Sequence, residues 1–98
     1  MTPFQYKNDV LHADGVSLPR IADAVGTPFY CYSETAIVGQ FDAYLSAFAD
    51  QDVRVCYAMK ANDNLAVLRA LADRGAGVDV VSGGELKKAL VAGIPADR

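Results

Sequence analysis

Two stretches of the sequence decide the fold, VRVCYAMKAN at residues 53–62 and GVDVVSGGEL at residues 77–86. Each opens with a nearly unbroken apolar run, which is typical of a parallel strand buried on both faces. The runs predict strands from Val53 to Met59 and from Gly77 to Val81. A helical pattern follows each strand, so the region predicts consecutive strand–helix units of a parallel sheet.

The two helices of this region have recognisable start and stop signals. Asn62 or Asp63 is predicted to cap the first helix, and Gly75 is predicted to end it. The buried stripe of this helix is predicted to comprise Leu65, Leu68 and Leu71. The second helix is predicted from Gly83 to Ala92, and Gly93 is predicted to end it.

The strand–helix alternation continues upstream to residue 28. Phe29 to Tyr32 is predicted to form a strand, and Ser33 is predicted to begin a helix that runs to about Ala49. The apolar face of this helix is predicted to comprise Ile37, Phe41, Tyr44, Leu45 and Phe48. Hydrophobic periodicity does not distinguish an open, doubly wound sheet from a barrel, so both architectures fit this alternation.

Residues 1–27 have a different pattern. Alternating apolar and polar residues predict two strands before a turn at Asp14-Gly15. Ser17 is predicted to cap a helix from Leu18 to Val25, and Gly26 is predicted to end it. We therefore predict an N-terminal segment of strands and a short helix, followed by strand–helix units in residues 28–98.

Composition narrows the class of protein. The 98 residues suit one modest domain, and the hydrophobic fraction of 52% predicts a packed core. The net charge of −3, with no basic cluster, argues against non-specific nucleic-acid binding. No apolar run is long enough to cross a bilayer and no secretory leader is recognisable, so the cytoplasm is the expected compartment. Cys31 and Cys56 lie in apolar runs and are predicted to be buried free thiols.

Lys60 is the most informative candidate for chemistry. It is predicted to end a strand, and sites in parallel α/β folds gather at the carboxyl ends of strands. Because side chains alternate along a strand, Cys56, Ala58 and Lys60 would share one face, where small residues leave room for a planar ligand. A nucleophilic lysine must be uncharged, and burial favours the uncharged form. On spacing alone, a lysine that simply reaches solvent is the slightly favoured alternative.

Asp79 is the second candidate. It lies among valines in the predicted strand that begins at Gly77, where a carboxylate is costly unless it has a partner. The neighbouring strand would carry Lys60 near the same end, so a Lys60–Asp79 pairing, direct or through a ligand, is one hypothesis. An aspartate at a frayed strand end is the alternative.

The segment from Ser82 to Glu85 has the Ser-x-x-Glu pattern of a capping box. Its paired glycines also fit the approach of an anion to a helix N-terminus, although capping is the preferred interpretation. His12 is the only histidine, and we predict a surface or structural role for it. No Cys/His cluster has the spacing of a metal site, so no metal is expected.

Taken together, these stretches resemble one family closely. Tyr57-Ala58-Met59-Lys60-Ala61-Asn62 looks like the Tyr-Ala-x-Lys-Ala-Asn signature of the fold type III pyridoxal-phosphate decarboxylases, which have an alanine-racemase-like barrel. Residues 77–86 resemble the Ala-Asp-Val-Val-Ser-Gly-Gly-Glu-Leu segment of its diaminopimelate branch. Residues 26–32 are similar to the Gly-Thr-Pro-x-Tyr-x-Tyr segment of that branch. One departure is Met59, where valine is commoner.

The resemblance implies a chemistry for the site. In the family the signature lysine, which maps onto Lys60, forms the internal aldimine with pyridoxal 5'-phosphate. Asp79 would lie near that bond and favour its protonated form, and Ala58 would lie beside the cofactor. Ser82 and Glu85 are candidates for polar support. The implied reaction removes CO2 from meso-2,6-diaminopimelate to give L-lysine, the last step of lysine biosynthesis.

The resemblance also implies an architecture. Residues 28–98 would form the first strand–helix units of a (β/α)8 barrel, and the N-terminal strands would associate with a separate β-domain. Members of the family are homodimers with shared active sites, so the resemblance implies a homodimer for the full-length protein. Its phosphate loop and its Glu-Pro-Gly-Arg and Cys-Glu-Ser segments do not occur in these 98 residues. The 98 residues alone are therefore expected to be inactive.

Two alternatives to this function remain. The first is an enzyme of the same class that acts on ornithine or arginine or catalyses an alanine-racemase-like reaction. The sequence Val-Val-Ser-Gly-Gly-Glu-Leu argues against this alternative. The second is a carrier of the cofactor or an inactive homologue. The presence of Lys60 argues against a loss of the chemistry.

Overall fold

A computed structural model describes residues 2–98, so the first residue of the predicted N-terminal segment lies outside the described residues. The chain forms two compact units, one ending at Ala36 and the other beginning at Ile37. Among the helices of residues 2–98, none combines the length and apolar character needed to span a bilayer. The division at residues 27 and 28 into two functional segments stays a prediction.

The first unit begins with a three-stranded antiparallel sheet. Its strands are β1 (Phe4–Lys7), β2 (Val10–Ala13) and β3 (Val16–Ser17), in that spatial order. Both connections are two-residue turns in which each residue has a positive φ, at Asn8-Asp9 (51° and 63°) and at Asp14-Gly15 (47° and 84°). Such turns match the twist of hairpin strands. The predicted turn and its two preceding strands are confirmed, whereas β3 is too short to produce a detectable pattern.

Helix α1 (Leu18–Val25) has the predicted bounds and the predicted caps. The Ser17 Oγ accepts a hydrogen bond from the backbone N of Arg20 at 3.3 Å. Gly26 ends the helix with a φ of 81°, a conformation that glycine adopts without a steric cost. Local signals alone therefore place this helix correctly.

The predicted strand from Phe29 to Tyr32 is wrong. None of these residues has strand structure, because no strand among residues 2–98 pairs with them. An apolar run supplies strand propensity, but a strand also needs a neighbour for its backbone hydrogen bonds. The rings of Tyr30 and Tyr32 stack on each other instead, with centroids 6.4 Å apart.

Asp14 connects the second hairpin turn to the start of helix α2 (Glu34–Ala47). The Ser33 hydroxyl donates to Asp14 Oδ1 at 2.7 Å, and the backbone N of Thr35 donates to Oδ2 at 3.2 Å. The Ser33 Oγ also accepts from the backbone N of Ala36 at 3.0 Å, so Ser33 begins the helix as predicted. The Ser33 hydrogen bond lowers the pKa of the Asp14 carboxyl from its usual 3.8, against an opposing desolvation effect.

We expect Asp14→Asn to destabilise the protein at neutral pH and to matter little in acid. The native pKa lies below the ordinary 3.8, so the stabilisation is complete above that value and disappears as the pH falls through the native one. Urea unfolding of both proteins across this pH range measures the difference. Asp9→Asn, at the other hairpin turn, is the matched control. A wild-type advantage that stays constant into acid would contradict the prediction.

The predicted apolar face of α2 is only partly correct. Phe41 is buried and Ile37 is half-buried. The remaining members of that face are exposed and were wrongly predicted as buried, namely Tyr44, Leu45 and Phe48. The helix also ends at Ala47 rather than near Ala49. The core of the second unit contacts only the first part of the helix, so apolar residues beyond it find no partner there.

The second unit contains a parallel pair of strands, β4 (Cys56–Ala58) and β5 (Gly77–Asp79). In the register, Cys56 lies opposite Gly77 and Ala58 lies opposite Asp79. The parallel pairing of these two runs was predicted and is confirmed. Each strand is shorter than its apolar run, because the ladder of backbone hydrogen bonds extends only where a residue of one strand has a partner in the other.

Helices α3 (Leu65–Asp73) and α4 (Gly83–Ala92) follow the two strands. The bounds of α4 are confirmed, as is its C-cap at Gly93. Helix α3 begins one residue later than a cap at Asp63 predicts and two later than a cap at Asn62 predicts, because the Asn64 side chain accepts the capping bond from Ala66 N at 2.9 Å. Within the predicted stripe of α3, Leu65 is exposed, whereas Leu68 and Leu71 are buried.

All helices of this unit pack against the same face of the strand pair. The strand-region residues that contact the two core clusters are Val55, Tyr57, Val78 and Val80, which alternate onto one side. The opposite side carries Cys56 and Asp79, and both are exposed. The prediction of burial on both faces is therefore wrong, and so is the predicted burial of Cys56. Both Cys31 and Cys56 are free thiols, as predicted, although Cys31 is half-buried rather than buried.

Gly77 lies where the end of the described chain approaches β5. The Arg98 carbonyl accepts a hydrogen bond from the backbone N of Val78 at 3.0 Å. The Arg54 guanidinium donates to the carbonyl of Asp97 at 2.8 Å, on the same side of the strand pair. A Cβ on Gly77 would lie 2.7 Å from the Arg98 carbonyl oxygen and 2.8 Å from the Cys56 Sγ. Only glycine fits this position without a shift of the backbone.

We expect Gly77→Ala to lower the free energy of unfolding by about 1–3 kcal/mol, the usual cost of overpacking. Gly83→Ala is the control, because no atom lies within 4 Å of the Cβ position there. The cost of Gly77→Ala should fall in a Cys56→Ala background, since the sulfur contact is then absent. Equal effects at Gly77 and Gly83 in urea unfolding would refute the steric explanation.

Candidate active site

Lys60 lies in a short turn beyond the carboxyl end of β4. The strand ends at Ala58, and a 3-10 helix formed by Met59–Ala61 follows it directly. The prediction that Lys60 ends the strand is therefore wrong, because Lys60 lies in the 3-10 helix that follows the strand. The reason is the register, in which Ala58 is the last residue of β4 with a partner in β5. Lys60 still lies at the carboxyl end of a parallel strand, where sites of α/β proteins are formed.

The amine of Lys60 is exposed and makes no ion pair. Within residues 2–98, no acidic oxygen lies within 4.0 Å of its Nζ. A direct Lys60–Asp79 pair is therefore not formed in this chain. The burial that was predicted to favour the uncharged amine is also absent, since Lys60 is exposed. The side chain is left available for a ligand.

Asp79 and Ala58 lie at the same level of the strand pair as the start of the Lys60 turn. They are register partners, each the last residue of its strand. Both side chains lie on the face that the helices leave open, where Asp79 is exposed and Ala58 is half-buried. The structure thus brings a carboxylate, a small side chain and a lysine to one edge of the sheet.

The turn that carries Lys60 is held from both sides. Met59 is 0% exposed and packs in a core cluster with Leu68, Ala89, Ala92 and Ile94. The backbone N of Asn62 donates to the Met59 carbonyl at 3.1 Å, which closes the turn. The Tyr57 hydroxyl donates to the Asn62 carbonyl at 2.8 Å. Sequence reasoning assigned Tyr57 no role beyond the motif, because the hydroxyl contact depends on the turn geometry.

An ion pair connects the segment after this turn to helix α4. Lys88 Nζ lies 2.9 Å from Asp63 Oδ2, and both side chains are about half exposed. The hydrogen bond and charge of Lys88 lower the pKa of the Asp63 carboxyl. This pair was not predicted, since Asp63 and Lys88 are 25 residues apart and no local pattern joins them. Of the two adjacent lysines of α4, only Lys88 has an ionic partner among the described residues.

The side chains of Ser82 and Glu85 form hydrogen bonds at the N-terminus of α4. The Ser82 Oγ accepts from the backbone N of Glu85 at 3.1 Å, as the capping interpretation predicts. The Glu85 Oε1 accepts from the backbone N of Val81 at 2.9 Å, one residue before the usual capping-box donor. These contacts fix the helix N-terminus near the carboxyl end of β5. A direct part for either residue in ligand binding stays a prediction.

His12 and the acidic residues form no second centre. The His12 Nδ1 lies 2.8 Å from the carbonyl of Val10, so the ring contacts its own strand. Across residues 2–98, no three histidine, cysteine or acidic side chains come close enough to bind a metal ion. The Lys60 edge of the sheet is therefore the candidate site.

Comparisons with known proteins match most of this chain to a described domain. The family model "Pyridoxal-dependent decarboxylase, pyridoxal binding domain" matches residues 34–98. A diaminopimelate decarboxylase of Pseudomonas aeruginosa is 50% identical over 93 residues, which are 95% of this chain and 22% of that protein. The chain therefore spans less than a quarter of the length of this curated relative.

Solved structures show the same fold. The crystal structure of AQ1208 from Aquifex aeolicus has a TM-score of 0.91 at 46% identity, covering 98% of this chain and 24% of its own. The structure of diaminopimelate decarboxylase from M. jannaschii in complex with L-lysine has a TM-score of 0.88 at 38% identity, covering 95% of this chain and 23% of its own. This chain belongs to the pyridoxal-dependent decarboxylases, and its residues 34–98 correspond to their pyridoxal-binding domain.

Proposed function

We propose that the protein containing this chain is a diaminopimelate decarboxylase, which removes CO2 from meso-2,6-diaminopimelate and gives L-lysine. The observation that carries the proposal is the exposed, unpaired Lys60 at the carboxyl end of a parallel strand, within a family whose domain is named for pyridoxal binding. The names of the relatives, and the L-lysine in one related structure, support the choice of substrate and product.

The residues of this edge fit pyridoxal phosphate by their chemistry. An aldehyde cofactor needs a primary amine that no carboxylate already holds, and Lys60 forms no ion pair with any of the residues that the structure describes. A planar ring needs space beside that amine, and the open face of the strand pair carries Ala58 rather than a large side chain. Asp79, the register partner of Ala58, places a carboxylate at the same end of the strand pair as Lys60.

Each residue of this edge has a proposed role in binding or orienting the cofactor. Lys60 would hold the cofactor through Nζ, and Asp79 would favour the protonated form of that nitrogen. Ala58 would leave room for the ring, while Ser82 and Glu85 fix the N-terminus of α4. When bound, the cofactor supplies an electron sink for the electron pair that remains after CO2 leaves.

The test of the proposed function is a direct assay of the full-length protein loaded with pyridoxal phosphate. Incubation with meso-diaminopimelate should release CO2 and L-lysine in equal amounts. L-Ornithine and L-arginine, assayed in parallel, should give much slower release of CO2. A preference for either of these substrates, or racemisation without CO2 release, would reject the proposal.

We also propose the architecture in which this chain works. The placement of all helices of the second unit on one face of the strands supports the start of a (β/α)8 barrel, because helices of an open doubly wound sheet cover both faces. Residues 28–98 would then be its first units, and the N-terminal strands would associate with a separate β-domain. We further propose a cytoplasmic homodimer with shared active sites, and no activity for the 98 residues alone.

Asp79→Asn should lower turnover about tenfold while leaving the melting temperature nearly unchanged. The substitution removes the charge proposed to support the Lys60 nitrogen, a change of about 1.4 kcal/mol in transition-state stabilisation. Asp79 is exposed and has no ion pair, so the fold should not depend on it. Asp73→Asn, which breaks the surface pair with Arg69, is the control. A lower melting temperature with normal activity per folded molecule would make Asp79 structural.

A further inference from the structure

The turn that carries Lys60 has little stability of its own. A 3-10 helix of three residues is closed here by the bond from Asn62 N to the Met59 carbonyl, and such turns have poorer hydrogen-bond geometry than an α-helix. Within residues 2–98, the Lys60 side chain makes no ion pair that could orient it. The backbone position of the turn therefore determines where the Lys60 amine can reach.

Tyr57 links this turn to the core of the second unit. Its ring packs against both hydrophobic clusters, one containing Met59 and Leu68 and the other containing Phe41 and Leu71. The hydroxyl of that fixed ring donates to the Asn62 carbonyl at 2.8 Å, directly across the turn. Contacts at Tyr57, Met59 and Asn62 thus bracket Lys60 on both sides along the chain.

We propose that Tyr57 is a positioning residue for Lys60. Its hydroxyl, by donating to the Asn62 carbonyl, holds the Met59–Ala61 turn so that the Lys60 amine meets the cofactor in one orientation. This inference rests on the proposed role of Lys60. It differs from a purely structural role, since Tyr57→Phe keeps the ring and its packing and removes the hydroxyl that bonds across the turn.

The expected consequence is a weaker and altered engagement of the cofactor. Loss of one hydrogen bond of this kind should raise the dissociation constant of pyridoxal phosphate about two- to tenfold. The pH dependence of the visible absorption of the bound cofactor should also shift, because the amine is held less firmly relative to its neighbours. The folded fraction of the apoprotein under assay conditions should be the same as in the wild type.

The experiment compares wild type, Tyr57→Phe and Tyr44→Phe in the full-length protein. Tyr44 is 60% exposed on α2, so its variant controls for loss of a phenol hydroxyl elsewhere. Three quantities are measured: the dissociation constant of pyridoxal phosphate by titration of the apoprotein, the absorption of the bound cofactor against pH, and urea unfolding of the apoprotein.

A raised dissociation constant and a shifted absorption profile in Tyr57→Phe alone would support the inference. Wild-type values for both, with or without a change in urea unfolding, would overturn it and leave the hydroxyl a structural group. Failure of Tyr57→Phe to fold would overturn it too, because the hydroxyl would then be required by the core. Borohydride labelling of the wild type distinguishes the two proposals, since a label on a lysine other than Lys60 overturns the proposed function itself.

Discussion

Replacement of Lys60 by alanine is expected to reduce decarboxylation by at least about three orders of magnitude, since proton transfer by one positioned group alone contributes about 10²–10⁴-fold. The variant should also lose covalent capture of pyridoxal phosphate. Lys60 is exposed at the carboxyl end of β4 and has no ionic partner, so its removal should not disturb the fold. Full-length protein, reduced with borohydride in the presence of the cofactor, should carry the label on the peptide containing Lys60 and on no other.

The lysines of α4 provide the controls for this experiment. Lys87 is exposed and has no ion pair, as is the case for Lys60, but it lies on a helix rather than at a strand end. Lys88 is held by Asp63 at 2.9 Å. Lys87→Ala and Lys88→Ala should both retain the label and most of the activity. A label that moves to Lys87, or that persists in Lys60→Ala, would contradict the assignment.

Features of the fold that depend on a few neighbouring residues could be predicted from the sequence. Ser17 and Gly26 delimit α1, and Ser82 and Gly93 delimit α4, because caps act within one helical turn. The parallel pairing of β4 and β5 follows from a helix between two apolar runs. The position of Lys60 at the open edge of the sheet follows from the same pattern, although the strand ends two residues before it.

Features that depend on distant partners could not be predicted. Phe29 to Tyr32 has the composition of a strand. A strand forms only where a neighbouring strand pairs with it, and no described strand pairs with this segment. The cap of α3 is Asn64 rather than Asn62, because the side chain of Asn62 accepts from Asn64 N at 3.0 Å within the preceding turn. The Asp14–Ser33 and Asp63–Lys88 contacts join residues that are 19 and 25 positions apart. Periodicity contains no information about such pairs.

The candidate site shows the same division between local and distant information. The lysine, the aspartate and the alanine were identified from strand ends and from the motif, and the register brings Ala58 and Asp79 together. The proposed positioning role of Tyr57 depends on a hydroxyl that reaches across a turn, and the sequence predicts a strand there instead. Residues that orient a group are therefore harder to predict than the group itself.

Leu68→Ala is expected to lower the free energy of unfolding by about 2–5 kcal/mol, whereas Leu65→Ala should cost about 1 kcal/mol or less. The two leucines lie three residues apart on α3, and the helical pattern predicts burial for both. In the structure Leu68 is 0% exposed and Leu65 is 46% exposed. Truncation at Leu68 leaves a cavity beside Met59, Ala89 and Ile94, while truncation at Leu65 removes a side chain that is largely in solvent.

Urea unfolding of full-length Leu68→Ala and Leu65→Ala measures this difference, with Leu68→Met as a volume-conserving third variant that should cost less than about 1.5 kcal/mol. Because the cluster that contains Leu68 also contains Met59, the cavity should reach the turn that carries Lys60. Leu68→Ala should therefore weaken binding of pyridoxal phosphate as well, whereas Leu65→Ala should not. Equal destabilisation by the two alanine variants would mean that Leu65 is buried in the full-length protein, and that the helical pattern, rather than the exposure seen in this chain, describes its surroundings there.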